Sequence, residues 1–396
     1  MQAYKERVGD LKLRTSFGIL GNQSIGTYDR FTVYELYNNS YAYNNQTVSG
    51  AGFKLGKDNL TWEKTKTFNV GVDASFFNNA LNVTFDYFYK RTSDILMKPL
   101  VPSVFGTDMA MDNIGEMQNQ GWDLSINYRL KTGAANHNFN FNLGDSWNEV
   151  LKYPGHERIS QIEELSRITR EGCPLESYYG YKMDGFFQSY EEIEASAIPV
   201  GGKVQPGDVK FVDVDHNGII DDNDKVDLGN GMPDFTYGFN LGFDYKGFDF
   251  SLNANGSVGN KIVQSYRNHT NKKSNYTTAI LNRWTGEGTS NRIPRVTDTN
   301  VNWQFSDLYI QDGDFLRISA ITLGYDFSRL WKGKAISQCR AYIQVQNALT
   351  FTKYDGMDPE IGFGPEDSNK KSWVSGIDYG YYPRPRTVLF GVNLKF

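Results

Sequence analysis

The chain closes on "RTVLFGVNLKF", and from Thr387 onward its residues alternate. Val388, Phe390, Val392, Leu394 and Phe396 fall on one side, Thr387, Gly391, Asn393 and Lys395 on the other, with Leu389 the one exception. A period of two puts successive side chains on opposite faces of a strand, one apolar and one polar. The pattern recurs in "LNVTFDYFYK", "GWDLSINYRL", "HNFNFNLG" and "FNLGFDYKGFDFSLNANG". It predicts about ten strands, near 11–20, 64–77, 81–95, 121–131, 136–149, 235–245, 248–259, 314–326, 339–352 and 386–396. The fold class is therefore all-β and antiparallel.

The connections narrow the choice. Residues 78–80, 132–135 and 246–247 are tight turns and 327–338 a longer one, whereas 21–63, 96–120, 150–234, 260–313 and 353–385 are long loops. In an up-and-down sheet every second connection lies at the same end. One end is therefore trimmed and the other elaborate, as in outer-membrane barrels with short periplasmic turns and long extracellular loops. Several strands reach ten residues, the length of about 9–11 that a membrane-crossing strand needs. Their polar faces carry Asn, Asp, Ser and Gly rather than the Lys and Glu of a solvated sandwich. The expected architecture is a transmembrane β-barrel portion, apolar faces toward outer-membrane lipid and polar faces toward a wet interior.

Composition agrees where it speaks. Tyr (25), Phe (26) and Gly (39) suit strands and turns. A mean hydropathy of −0.53 does not argue against a barrel, whose alternating strands average to a weak signal. The net charge of −5 with both signs interspersed leaves no nucleic-acid footprint. Cys173 and Cys339 match no metal or redox spacing and are expected as free thiols. The opening "MQAYKERVGDLKLRTSF" is not a signal peptide.

Several stretches, in order along the chain, resemble the C-terminal part of the SusC/RagA family of TonB-dependent outer-membrane transporters. They are "NLTWEKTKTFNVGVDASFF", "FDYFYKRTSDIL", "NIGEMQNQGWDLSINY", "GDVKFVDVDHNGIIDDNDK", "PDFTYGFNLGFDYKGFDFS", "DGDFLRISAITLGYDF", "VQNALTFTKYDGMDPE" and "YYPRPRTVLFGVNLKF". The resemblance implies a barrel of about 22 strands around a plug, of which this chain would be the last ten strands, a C-terminal fragment with Met1 an internal start. It implies import of glycan or peptide oligomers beneath a SusD-like surface lipoprotein, energised by TonB–ExbB–ExbD through an N-terminal part absent here, in the bacterial outer membrane. It also gives the terminal Phe396 the look of a barrel sorting signal. A passive small porin and a soluble calcium-dependent carbohydrate-binding β-protein are the rival readings of the alternation.

Two clusters carry candidate site residues. In "DVDHNGIIDDND", within the 150–234 loop, Asp213, Asp215 and Asn217 stand at positions 1, 3 and 5 of a calcium loop, with Gly218 at the sharp turn. Ile219 would offer its carbonyl, Asp221 follows at position 9, and Asp224 takes position 12 in place of the usual Glu. Hard oxygen ligands at this spacing suit Ca²⁺. The second cluster is loop aromatics among amides: Tyr34, Tyr37, Tyr41, Tyr43, Tyr178, Tyr179 and Tyr181, expected to stack on an oligomeric substrate. Arg384 and Arg386 are expected to anchor a loop-to-strand junction. His137, His156, His216 and His269 are scattered and expected in solvent or loops, and no nucleophile or phosphate-loop motif is present. The chain is read as a transporter part and not an enzyme.

Overall fold

The computed structural model describes residues 9–396 except 24, 27, 100–103, 105–108, 156, 163–164, 265–275, 298–300, 330–335 and 362–375; at 39–41 and 161–162 only the backbone is described. Ten strands form one sheet: β1 (Leu11–Asn22), β2 (Glu63–Phe76), β3 (Leu81–Met97), β4 (Asp112–Thr132), β5 (Ala135–Lys152), β6 (Phe235–Tyr245), β7 (Phe248–Val258), β8 (Phe315–Asp326), β9 (Gln338–Thr352) and β10 (Thr387–Lys395). Their order in the sheet is their order in the chain, so each strand pairs with the next. The antiparallel transmembrane barrel portion expected from the alternation is present, and each of the ten strands overlaps its expected range. No helix among the described residues is long and apolar enough to cross a membrane.

The chain divides into two compact units. The first comprises Met1–Ser125, Ser146–Arg158 and Thr169–Leu175. Here β1 runs against β2 from Leu11↔Ala74 to Asn22↔Glu63, and β2 against β3 from Lys64↔Ser93 to Phe76↔Leu81. The β2–β3 turn uses Phe77, Asn78 and Asn79, all at positive φ. Outward side chains such as Leu13 and Phe17 are exposed, at 72% and 66%. On the opposite face Arg14 of β1 reaches across β2 to Asp86 of β3 at 2.8 Å, and also holds Asp73 at 2.8 Å. Gly71, directly between Arg14 and Asp86 in register, makes this possible. A Cβ there would lie 2.3 Å from the Asp86 carboxylate.

The second unit comprises Ile126–Asp145, Ile159–Ile168 and Glu176–Phe396. β6 and β7 join through Lys246 and Gly247, both at positive φ, the two-residue turn that fits strand twist. Near the short turns an aromatic group gathers on the apolar face: Phe248 on Tyr325 at 4.4 Å and Tyr325 on Phe327 at 4.9 Å. Such girdles mark the membrane interface of outer-membrane barrels. His137 lies against Phe139 and, at 5.2 Å, Phe243, so it is a strand residue in an aromatic setting rather than the solvated residue expected. His216 is in a loop as expected, and His156 and His269 lie outside the described residues.

The described parts of this unit's long loops carry short strands and two buried clusters. Tyr181, Phe186, Val209, Phe211, Ile220 and Val301 form one buried cluster; Leu165, Tyr178, Val263, Phe305 and Ile377 form another. Sequence reading left these segments as loops because their strands are two to six residues long, too short to show a period. It also missed a hairpin inside 21–63, Val33–Tyr43 against Gln46–Lys54. Cys173 and Cys339 are free, as expected.

Candidate functional site

Residues 213–224 are positioned from both sides. Before them Val209 and Phe211 are buried in the first cluster, and after Gly218 the pair Ile219–Ile220 runs parallel to Ile198–Pro199, with Ile220 in the same cluster. His216 (φ 58°) and Gly218 (φ 83°) both take left-handed backbone, which turns the chain back on itself. The turn directs N–H groups inward. Asn217 N–H donates to Asp213 (3.2 Å) and Asp215 (3.1 Å), and Gly218 N–H to Asp213 (2.8 Å). Burial acts to raise the Asp213 carboxyl, but the N–H donors from Gly218, Asn217 and His216 outweigh it and hold the group below the usual carboxylate range.

One oxygen from each of Asp213, Asp215 and Asp224 lies within 4.8 Å of the others. Ligands on opposite sides of a Ca²⁺ at about 2.4 Å are about 4.8 Å apart, so the three carboxylates fit that ion. Asp224 is wholly buried and fixed by N–H groups of Val214 (2.7 Å) and Asp221 (2.8 Å). The rest of the expected set is less converged. Asn217 Oδ1 accepts from Ile219 N–H, and the Asp221 carboxylate caps the turn Asp222–Asp224 by accepting from Asn223 N–H.

The tyrosines divide. Tyr34, Tyr37 and Tyr43 are on the 33–54 hairpin and exposed, Tyr34 at 84% and Tyr43 at 78%. Tyr34 is directly opposite Phe53, and with Leu36 these make an uncovered apolar row. The hairpin turn is Asn44–Asn45, both at positive φ, and its base is held by Lys54 on Asp29 at 2.9 Å. That bond, helped by Gly26 N–H, lowers the Asp29 carboxyl, and the same bond raises Lys54. The Tyr41 side chain lies outside the described residues.

The family models and solved structures bear on what this assembly is. The model described as TonB dependent receptor-like, beta-barrel matches residues 12–171. TonB-dependent receptor P3 of Formosa agariphila is 33% identical across 97% of this chain and 39% of its own length. TonB-dependent receptor SusC of Bacteroides thetaiotaomicron is 31% identical across 98% of this chain and 38% of its own. The solved RagAB peptide transporter shares the fold at TM-score 0.77 and 24% identity, over 99% of this chain and 41% of that one. Along nearly its whole length this chain is similar to TonB-dependent receptors of the SusC type. It spans about two-fifths of the length of the curated relatives it matches. Proteins of this barrel family are outer-membrane proteins, so the apolar faces of β1–β10 meet lipid.

In this barrel portion two of the expected substrate residues are corrected. Tyr178 is wholly buried, edge-on to Phe305 at 6.3 Å, with its hydroxyl donating to the Lys261 carbonyl. Tyr181 is buried against Phe211 at 5.0 Å. Burial pushes both phenols up, Tyr181 to about 12, where Asp222, Asp224 and Asp221 add to the effect. Their faces are taken by the loop core, Tyr178 in the second cluster and Tyr181 in the first beside the acidic loop, and neither is open to stack on a ligand. Tyr179, between them, is half-buried. Arg384 anchors its junction as expected, reaching Glu360 at 3.1 Å, while Arg386 is exposed. Sequence reading missed Arg317, Asp358 and Glu360, the buried cluster to which Arg384 attaches. Nothing short of the pairing of β8 with β9 could have brought them together.

Proposed function

We propose that this chain forms barrel wall and extracellular loops of a TonB-energised importer of glycan or peptide oligomers. The observation that carries the reading is identity above 30% to SusC and related receptors along nearly the whole chain, with ten strands paired in chain order. In this reading the chain's own residues bind and guide, and no bond is made or broken. The exposed row Tyr34, Leu36 and Phe53, with Tyr43, faces outside the cell and meets either the oligomer or a SusD-like surface lipoprotein lying over the barrel. TonB–ExbB–ExbD acts through a part of the protein other than these strands.

The 213–224 loop takes Ca²⁺ through Asp213, Asp215 and Asp224, with Asn217, Ile219 and Asp221 closing the shell after local adjustment. The ion would supply no chemistry beyond neutralising the carboxylates. Its effect is to stiffen a loop already tied to the core by Ile220.

The test is uptake of fluorescent oligomers by cells that carry or lack the full-length gene. Uptake that depends on the gene and is abolished by a protonophore is the expected result. Gene-dependent uptake indifferent to the protonophore would make the barrel a passive pore and sink the proposal. Calorimetry with Ca²⁺ on the full-length protein tests the ion: heat that disappears in Asp213→Ala supports it, and no heat in the wild type removes it.

A further inference from the structure

The outward face of β1–β3 changes character at one level. Register sets its rows from the short-turn end upward: Leu11–Ala74–Val83, Leu13–Val72–Phe85, Thr15–Val70–Tyr87 and Phe17–Phe68–Tyr89. All are apolar or aromatic except Thr15. The next two rows are Ile19–Lys66–Arg91 and Gly21–Lys64–Ser93. Three cations therefore follow directly on an aromatic level. Above them Trp62 lies on the same face, over β1: a Cβ on Gly21 would be 2.5 Å from its indole, so the missing side chain makes room for the ring. Trp62 is 57% exposed.

The level can be placed in the membrane. From Leu81, at the short turn, to Arg91 is ten residues. That is about 33 Å along a strand and, at a tilt of about 40°, about 25 Å along the membrane normal. The apolar band of such barrels is about 25 Å tall. Lys64, Lys66 and Arg91 thus stand where the hydrocarbon ends and the outer-leaflet headgroups begin. Lys66 is exposed and makes no ion pair among the described residues. Lys64 is loosely paired with Asp94 at 3.2 Å, both exposed, and Arg91 with Glu116 at 2.6 Å. An exposed pair such as Lys64–Asp94 contributes little and exchanges readily, while Arg91 stays tied to half-buried Glu116.

We infer that this row is a binding site for the phosphate of an outer-leaflet lipid. Lys66 and Lys64 take the charged oxygens, Arg91 can contribute donors from the side, and acyl chains lie along Phe17, Phe68 and Tyr89. Phosphate is the anion that a bilayer presents at this depth, and Lys and Arg are its usual partners. The site lies on the outward face of β1–β3 and does not depend on what the barrel carries.

The experiment uses the full-length protein, purified from outer membranes in mild detergent and exchanged into nanodiscs containing monophosphoryl lipid A. Bound lipid is counted by native mass spectrometry. Each of Lys64→Gln and Lys66→Gln should lower retention about fivefold, the effect of one basic residue at an anionic surface. Lys12→Gln, on the opposite face of β1, should leave retention unchanged. The wild type with the same lipid stripped of its phosphate needs no variant and should retain little. Equal retention of the stripped lipid would show apolar contact alone and overturn the proposal. So would unchanged retention in both lysine variants, or displacement of the lipid by inorganic phosphate, which would mark a free-anion site.

Discussion

Asp208 and Arg295 form a two-pronged ion pair, at 2.7 and 3.1 Å, that joins loop 150–234 to loop 260–313. Asp208 is wholly buried, and Asn302 and the N–H of Gln205 also donate to it. A buried carboxylate that loses its arginine costs about 3–5 kcal/mol. Arg295→Ala should therefore open the loop core while leaving the ten-strand sheet intact. Limited proteolysis of the full-length protein checks this: new cuts within 183–234 and 284–309, with heat-modifiable gel migration unchanged. Loss of the barrel band as well would show that loops and sheet fold as one.

The acidic loop separates metal binding from structure. Asp213 and Asp215 serve the loop from the surface, whereas Asp224 also fixes Val214 and Asp221 N–H from a buried position. Asp215→Asn should abolish Ca²⁺ heat with little loss of stability when calcium is absent. Asp224→Ala should do both, adding about 1–3 kcal/mol for unsatisfied buried donors. If calcium binds, an excess of about a hundredfold over Kd should stabilise the wild type by about 2.7 kcal/mol. Thermal unfolding of the loops with and without chelator measures the difference.

How much of this was legible depends on length. Strands of nine residues or more show their alternation, and for that reason β6 was placed to the residue and β7 within one. β4 begins at Asp112 rather than near 121, because most outward side chains of "DNIGEMQNQ" are polar and hide the alternation: Gln118 meets Tyr89, and Glu116 meets Arg91. The 33–54 hairpin was hidden by the register shift between Tyr37 and Tyr41, although Asn44–Asn45 is a turn signal. The spacing 213–224 was readable because a calcium loop is local. Burial of Tyr178 and Tyr181 was not, since Tyr178 packs on Phe305 and bonds to Lys261, and Tyr181 packs on Phe211, all in other segments of the chain.

The short helix α1 (Tyr190–Glu194) carries a pH dependence with two limbs. Gln188 N–H and then Lys210 hold the Glu192 carboxyl below its ordinary 4.5, and the bond that Lys210 donates to Glu192 raises Lys210 above 10.5. The carboxylate's contribution is complete above pH 4.5 and is lost as pH falls through its lower folded value. That of Lys210 is complete below 10.5 and is lost as pH rises through its higher one. Amide exchange at Glu192 and Ala195, corrected for intrinsic rates, should show protection flat between these limits. Lys210→Gln should remove the alkaline limb and keep most of the acid limb, because the Gln188 N–H remains. An unaltered alkaline limb would assign it to another group.

Gly71 and Gly324 solve one problem in separate units. Arg14 crosses β2 at Gly71 to reach Asp86; Arg340 reaches Asp249 beside Gly324, where a Cβ would fall 2.5 Å from that carboxylate. Both pairs lie on the polar face. Gly71→Val or Gly324→Val should force the pair apart and crowd the strand, at about 1–3 kcal/mol each. The apolar face is untouched, so the variants should still insert in the membrane and unfold at lower temperature in detergent. Removing the arginine tells crowding from charge. If Arg14→Gln restores the unfolding temperature of Gly71→Val, the clash is with the guanidinium. If it does not, the Asp86 carboxylate is the obstacle, and Asp86→Ala in the Gly71→Val background should rescue instead. Failure of both rescues would mean that the glycine serves backbone conformation and not the crossing of charges.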